Sequence, residues 1–328
     1  MEPIHVLGGG SIGLIFAANI RSAFPLYPLC LLLRDGHKHK IDDGEVMVCL
    51  MKSGQPRMVP VPAQLISSQW KRPIKTLLLT TKAFAAANAV KSILPRFDEH
   101  SVSIIILCNG AFAVKTELLK ISREIPANID FILATTTHGA YTENSSNDMY
   151  YVVHAGEGKT FIEEHALISQ LFDQSWLNSK SISKDEMNVM LWQKLAANCV
   201  INPLTALLKC ENGGLLDPTV VGNELPRIDA IVQEVSEVAT ADASSKVDGD
   251  SPLPASLDYA SLKAFVDTVI EDTLYNKSSM LQDVLKQQQT EVEYLNGYVS
   301  QRGREFGIGT PANDELCQRI EKLQRNST

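Results

Sequence analysis

A doubly wound α/β domain followed by an all-helical domain is the architecture the sequence predicts. Three observations predict it. The first half carries five short runs that are apolar at consecutive positions, helical patterns lie between several of them, and strand signal disappears beyond residue 185. Runs apolar on both parities are the pattern of parallel strands covered on both faces, and strands alternating with helices build an open sheet with helices on either side. We therefore expect a nucleotide-binding domain over 1–185 and a helical substrate and catalytic domain over 186–328.

The five runs are "IHVL" (4–7), "PLCLLL" (28–33), "KTLLLT" (75–80), "VSIIIL" (102–107) and "DFILAT" (130–135). "SIGLIFAANIRSA" after the first and "AFAAANAVKSIL" after the third have helical patterning, the latter stopped by Pro95. After residue 140, "MYYVVHAGEGKTFIE" suggests a hairpin-like pair of strands and "ALISQLFDQSWL" a short helix. Helices are then predicted over 186–209, 225–245, 258 to about 300 with breaks, and 312–325. The stretch "DASSKVDGDSPLPASLD" (242–258) is rich in Ser, Asp, Gly and Pro and is expected to be a polar loop.

A chain of 328 residues exceeds what one hydrophobic core usually serves, in keeping with two domains. Its net charge of -8 argues against a protein that coats nucleic acid or an anionic membrane, and we expect neither partner. The six cysteines are spread singly, mostly in apolar runs and without metal-ligand spacing, so buried free thiols in a reducing compartment are expected and no metal. No apolar stretch approaches a membrane span, and "IHVLGGGSIG" begins a structural element too early for a cleavable leader. The expected location is the cytoplasm.

"LGGGSIG" places Gly8, Gly10 and Gly13 in G-x-G-x-x-G spacing between a strand and a helix. The first glycine serves the tight turn, the second lets a pyrophosphate approach the backbone, and the third lets helix pack on strand. This makes the first domain Rossmann-type, with a dinucleotide at the positive end of the first helix. The second strand ends in "LLLRDG", where Arg34 would accommodate the 2′-phosphate of NADP and Asp35 the ribose hydroxyl of NAD. Arg34 follows the apolar run directly and basic Lys38 and Lys40 come next, which favours NADP(H). Lys82 and Asn109 fall just beyond the third and fourth strands, at the carboxyl ends where ligands of such sheets bind.

"LWQKLAANCVINPLTALLKCENGGLL" (191–216) has helical patterning with a lysine and two asparagines among apolar residues. At about 100° per residue, Lys194, Asn198 and Asn202 form one polar stripe. Three costly polar side chains in register point to a site that uses an ammonium and amides. A carboxylate partner is offered by "NKSSMLQDVLKQQQTEVEYLNG", in which Asn276, Ser279 and Asp283 share a helical face, with Glu291 about two turns further on. A lysine kept charged by a carboxylate can polarise a carbonyl and protonate the oxygen, as hydride addition to a ketone requires. His5, His138 and His154 lie in or just after apolar strands and are expected to be structural.

These blocks resemble ketopantoate reductase (2-dehydropantoate 2-reductase). The resemblance covers nearly the whole chain through "LGGGSIG", "LLLTTKAF", "CNGAF", "TTTHGA", "LWQKLAANCVINPLTALLKCENG", "NKSSMLQD", "TEVEYLNG" and "GIGTPAND", in the family's order. It implies NADPH-dependent reduction of 2-dehydropantoate to (R)-pantoate, on the path to pantothenate and coenzyme A. By resemblance Lys194 is the proton donor and Glu291 the acid that assists it. Asn198, Asn202, Asn276 and Ser279 bind the keto acid, with Asn212 of "KCENG" nearby, and Asn109 bridges substrate and cofactor. Gly8, Gly9, Gly10, Ser11, Ile12, Gly13, Arg34 and Lys82 hold the cofactor, which Glu291 also reaches. Some positions depart from the family pattern: Phe112 stands where a glycine usually follows Asn-Gly, and Phe84 and Ala85 stand where a polar residue often follows Lys82. The protein is expected to act as a monomer or homodimer. The alternatives are a reductase of another branched 2-keto acid and a noncatalytic NADP-binding sensor or scaffold.

Overall fold

The computed structural model describes residues 3–69, 73–122, 128–143, 148–165, 177–245 and 255–326. It divides into two compact units, Met1–Met187 and Asn188–Thr328.

The first unit is built on β1 (Ile4–Leu7), α1 (Ser11–Ala23), β2 (Leu29–Leu33), β3 (Glu45–Lys52), β4 (Gln55–Leu65), β5 (Thr76–Leu79), α2 (Ala83–Lys91), β6 (Ser101–Ile106), α3 (Ala111–Ser122), β7 (Asn128–Thr136), β8 (Gly139–Glu143), β9 (Tyr150–Gly156), β10 (Thr160–Glu163) and β11 (Ser179–Ile182). The strands form one sheet in the order β11-β10-β7-β6-β5-β1-β2-β4-β3-β9-β8. β1 pairs in parallel with both β2 and β5, so the winding direction reverses beside β1. That reversal is the topological switch point of an open α/β sheet, and right-handed crossovers then put α1 on one face and α2 and α3 on the other.

All four residues of β1 are buried, as a central strand covered on both faces requires. α1 is buried continuously from Gly13 to Ile20, and its Ile15, Phe16 and Ala18 share one core with Ile4, Val6, Leu31, Leu33 and Leu78. The polar exception is Asn19, whose Oδ1 accepts from Arg57 Nη2 at 2.7 Å.

The five apolar runs fold as β1, β2, β5, β6 and β7, each within two residues of its expected bounds. The segment read as a hairpin-like pair does not pair with itself. β9 lies parallel to β3 and antiparallel to β8, whereas β10 lies antiparallel to β7 and parallel to β11, near the opposite edge of the sheet. Each segment instead takes the open edge of a longer strand, β3 or β7, and period-2 patterning carries no information on which one. The β3–β4 hairpin was not expected; it turns at Ser53 and Gly54, both at positive φ, the conformation that fits a two-residue hairpin. The helix expected over 166–177 falls, except for Leu177, outside the described residues, as do 246–254 of the polar loop.

The second unit is helical: most of α4 (Lys184–Leu208), then α5 (Pro218–Val221), α6 (Leu225–Ser244), α7 (Tyr259–Asp272), α8 (Ser279–Leu285), α9 (Asn296–Phe306) and α10 (Pro311–Arg325). Asp217, Asp258 and Ser278 cap α5, α7 and α8 through their side chains, and Gly307 at φ 71 ends α9. Trp192 of α4 is fully buried, its Nε1 donating to Asp242 of α6 at 3.3 Å. The region expected to be helical with breaks from 258 to about 300 is three helices. α8 stops at Leu285, Gln287 adopts φ 55, and Gln288 N–H donates back to Asp283 O at 2.8 Å. Asp283 and Glu291 therefore do not share a helix, and Glu291 instead leads into a 3₁₀ turn over Val292–Tyr294.

Among the described residues no helix is long and apolar enough to cross a membrane. The six cysteines are free thiols, and burial raises those of Cys30 and Cys317 to about 12, so they stay protonated at neutral pH.

Candidate active site

In the first unit the candidate residues stand at the carboxyl ends of the strands. Gly8 has φ 136, which only glycine adopts without strain. Thr80, the residue after β5, lies beneath the loop with its hydroxyl 3.3 Å from both Leu7 O and Gly8 O. A Cβ on Gly8 would come within 2.6 Å of that hydroxyl, and one on Gly13 would lie 2.0 Å from Gly8 O. A Cβ on Gly10, by contrast, would meet nothing within 4 Å. Two glycines are thus required by close packing and the third faces open space where a phosphate can reach the backbone. No side chain caps α1, which leaves the N–H groups of Ser11, Ile12 and Gly13 for an anion. These features fit a dinucleotide pyrophosphate. Thr80 was missed in the sequence, where a threonine at a strand end carries no distinguishing signal.

β2 ends at Leu33, and Arg34 follows in extended conformation at the head of a 3₁₀ segment, Asp35–Lys40. Arg34 is exposed, whereas the carboxylate of Asp35 accepts a hydrogen bond from Ser67. The acid that would bind an unphosphorylated ribose is committed to a neighbour, and the guanidinium stands in solvent. Lys82 is exposed at the start of α2, and Asn109 is half-buried in the turn between β6 and α3, beside Gly110 at φ 64. Phe112 is buried in the first turn of α3, so it serves the core.

The expected histidines hold the sheet together. His138 Nε2 lies 2.8 Å from Leu177 O, so it carries the proton, and Nδ1 accepts from Gly158 N–H at 2.9 Å and from His154 Nε2 at 3.0 Å. Burial first, then the neighbouring His138 and Lys52, hold His154 below the usual histidine range. His5 is buried in β1, and burial depresses it to about 4.

In the second unit α4 carries Lys194, Asn198 and Asn202. Lys194 and Asn198 are half-buried and Asn202 is buried; from Leu195 to Ala206, Asn198 is the one residue with more than marginal exposure. Lys194 and Asn198 are therefore the accessible members of the stripe, and Asn198 stands alone in the enclosed stretch from Leu195 to Ala206.

Pro203 sits within this helix. Having no N–H, it leaves the carbonyl four residues back, that of Cys199, without a helical donor. An unpaired buried carbonyl would cost about 1–3 kcal/mol. Asn296, the fully buried first residue of α9, supplies the donor: its Nδ2 lies 3.0 Å from Cys199 O and 2.9 Å from Asn313 Oδ1. Asn313 in turn donates from Nδ2 to Glu234 of α6 at 2.7 Å, and the same carboxylate accepts the Ala312 and Asn313 N–H groups at the start of α10. Five residues before Asn296 stands Glu291, 4 % exposed. The proline that opens α4 thus creates the acceptor by which the Glu291-bearing segment is fixed to it.

A second tie lies nearly two turns on. Thr205 Oγ1 meets Ser278 Oγ at 2.7 Å, and Ser278 is the residue that caps α8. Asn276 (exposed) and Ser279 (half-buried) flank this cap. Asn212 is buried, with its Nδ2 donating to Thr273 Oγ1 at 2.9 Å and its backbone N–H to Asn276 O at 2.9 Å, so it supports the Asn276 loop. Thr205, Glu234, Ser278, Asn296 and Asn313 were not singled out in the sequence. Pro203 signals an orphaned carbonyl there, but nothing local names its partner.

The family profile "Ketopantoate reductase PanE/ApbA" matches residues 4–166, and "Ketopantoate reductase PanE/ApbA C terminal" matches 186–324. A 2-dehydropantoate 2-reductase of Vibrio cholerae is 34% identical over 257 residues, covering 76% of this chain and 78% of that protein. In solved structures, the fold is similar to that of a PanE/ApbA family ketopantoate reductase from Ralstonia eutropha (TM-score 0.77, 20% identity, 99% of each chain). It is equally similar to D-mandelate dehydrogenase in a ternary structure with NADH and anilino(oxo)acetate (TM-score 0.79, 20% identity, 99% of each chain). At that identity the structural likeness speaks for the fold alone. Matched along both units and by a relative of this similarity, the chain belongs to the ketopantoate reductase family.

Proposed function

We propose that this chain reduces 2-dehydropantoate to (R)-pantoate with NADPH, the reaction named for its 34% identical relative. The observation that carries the reading is the half-buried pair Lys194 and Asn198 on a helix enclosed from Leu195 to Ala206 except at Asn198, with the Glu291 segment fixed to that helix through Asn296.

The reduced nicotinamide, when bound, supplies a hydride to the keto carbon. Lys194 donates a hydrogen bond from Nζ to the keto oxygen and gives it a proton as the carbonyl π pair becomes an oxygen lone pair, so that the product is a neutral alcohol. Glu291 keeps Lys194 charged and holds the substrate hydroxyl and the cofactor. Asn198, Asn202, Asn276 and Ser279 bind the carboxylate and hydroxyl of the keto acid and fix the face of the ketone, and Asn212 positions Asn276. Gly8, Gly9, Gly10, Ser11, Ile12 and Gly13 offer backbone to the pyrophosphate, Arg34 binds the 2′-phosphate, Lys82 holds the cofactor, and Asn109 bridges to substrate. The expected domains 1–185 and 186–328 divide this labour between cofactor and substrate. We assign the protein to the cytoplasm, as a monomer or homodimer, with a small keto acid as its partner.

Mixing the protein with NADPH and 2-dehydropantoate should consume the reduced nicotinamide absorbance in proportion to enzyme. Tight NADPH binding with no turnover of that substrate, while another 2-keto acid is reduced, would overturn the assignment.

A further inference from the structure

The segment after β2 carries a feature that the 2′-phosphate reading of Arg34 does not use. His37 N–H donates to Arg34 O at 2.9 Å, closing a turn that sets the histidine beside the arginine. Its Nδ1 lies 2.7 Å from the hydroxyl of Tyr150, the first residue of β9. Tyr150 is itself locked in place. It is 7% exposed, Lys40 Nζ lies 5.1 Å from its ring centre and donates to Met149 O at 3.1 Å, and its hydroxyl is 3.8 Å from where a Cβ on Gly9 would stand. The same hydroxyl therefore bonds the turn that follows β2 and lies beside Gly9 of the phosphate loop.

On this geometry, and resting on the reading of Arg34 as a 2′-phosphate residue, we propose that His37 is a second, proton-linked reader of the 2′-phosphate. In the complex His37 is an imidazolium whose Nε2–H faces the phosphate while Nδ1–H donates to Tyr150 Oη. Nε2 makes no hydrogen bond among the described residues, so it is placed to serve a ligand.

The choice of Tyr150 as the supporting group matters. A phenol both donates and accepts, so it bonds neutral Nδ1 as a donor and protonated Nδ1 as an acceptor, and ionisation of His37 costs no hydrogen bond. Burial holds that phenol up at about 12, so it remains a hydroxyl throughout the working range.

The charged and titratable groups that face His37 are Arg34, His39 and Lys40 of its own segment and Tyr150 from β9. Burial first, then the three cations, hold His37 below its ordinary value. Without ligand the imidazole is neutral near pH 7. A phosphate monoester brings a charge of about -1.5 to -2 and reverses the local field. Binding of NADPH then takes up a proton at His37, and binding of NADH, which lacks the phosphate, does not. The sign follows: affinity for NADPH rises as pH falls from about 8 toward 6.5, with the phosphate's own protonation setting the lower end of the window.

Isothermal titration of the full chain with NADPH and NADH from pH 6.5 to 8, in buffers of differing ionisation enthalpy, tests this. Wild type should bind NADPH about fivefold to tenfold tighter at pH 6.5 than at 8 with net proton uptake, and NADH with neither. His37→Gln should abolish the uptake and flatten the NADPH profile while NADH affinity and melting temperature stay unchanged. Tyr150→Phe, which keeps the ring and removes the hydroxyl, should weaken NADPH in the same direction and serves if His37→Gln does not fold. Undiminished proton uptake in the folded variant overturns the role of His37 with the NADP reading intact. Equal binding of NADPH and NADH by wild type overturns the NADP reading itself.

Discussion

In the first unit the candidate residues rest on backbone. The glycine loop, Arg34, Lys82 and Asn109 each follow a strand end by a few residues, and pairing of β1 with β2 and β5 brings those ends together. In the second unit Lys194, Asn198 and Asn202 rest on a helix that side chains far along the chain tie down: Ser278 on Thr205 across 73 positions, and Asn296 on Cys199 across 97. Sites of the first kind are written into short motifs, because strand, turn and helix are local and the sheet order does the rest. Sites of the second kind are spread through buried polar contacts whose members look ordinary one at a time.

The contrast can be broken by substitution. Gly13→Ala should have the largest effect on stability, since its Cβ would lie 2.0 Å from the backbone oxygen of Gly8. Overpacking against backbone costs roughly 3 kcal/mol or more, to be read as a fall in melting temperature. Gly10→Ala, which meets nothing within 4 Å, should melt as wild type and weaken NADPH in a binding titration. If both variants melt alike, the division between packing and ligand glycines is wrong.

Lys194→Ala should lower turnover by a factor on the order of 100 or more through loss of the general acid, with the fold and NADPH binding retained. Steady-state rates with 2-dehydropantoate check this, and near-normal turnover would remove the role. Asn296→Ala leaves Cys199 O and Asn313 Oδ1 without their donor, which should cost about 2 kcal/mol in denaturant unfolding and lower kcat more than NADPH affinity. A variant that loses stability but keeps kcat would confine Asn296 to the core. Arg34→Ala should weaken NADPH by about tenfold and leave NADH nearly unchanged, from loss of charge-assisted hydrogen bonds to one phosphate. Equal losses for both cofactors would reassign the 2′-phosphate.

Much of this was legible beforehand, and for identifiable reasons. β1, α1 and the three glycines followed from period and spacing, and α4 from its apolar pattern, with the stripe of Lys194, Asn198 and Asn202 visible as one face. The partners of β9 and β10 were not legible, because alternation marks a strand without naming its neighbour. Breaks were expected in this region but not the one after Leu285: "KQQQ" suits a helix by propensity, yet the chain takes a left-handed residue at Gln287 and closes back on Asp283.

By itself the sequence determined the five parallel strands, the glycine loop before α1 and the polar face of α4, since each depends on residues within one or two turns of one another. Only the tertiary structure decided that Tyr150 bonds His37 and that Asn296 answers the carbonyl freed by Pro203. Those choices belong to buried polar atoms, which must find a partner wherever the fold brings one within reach.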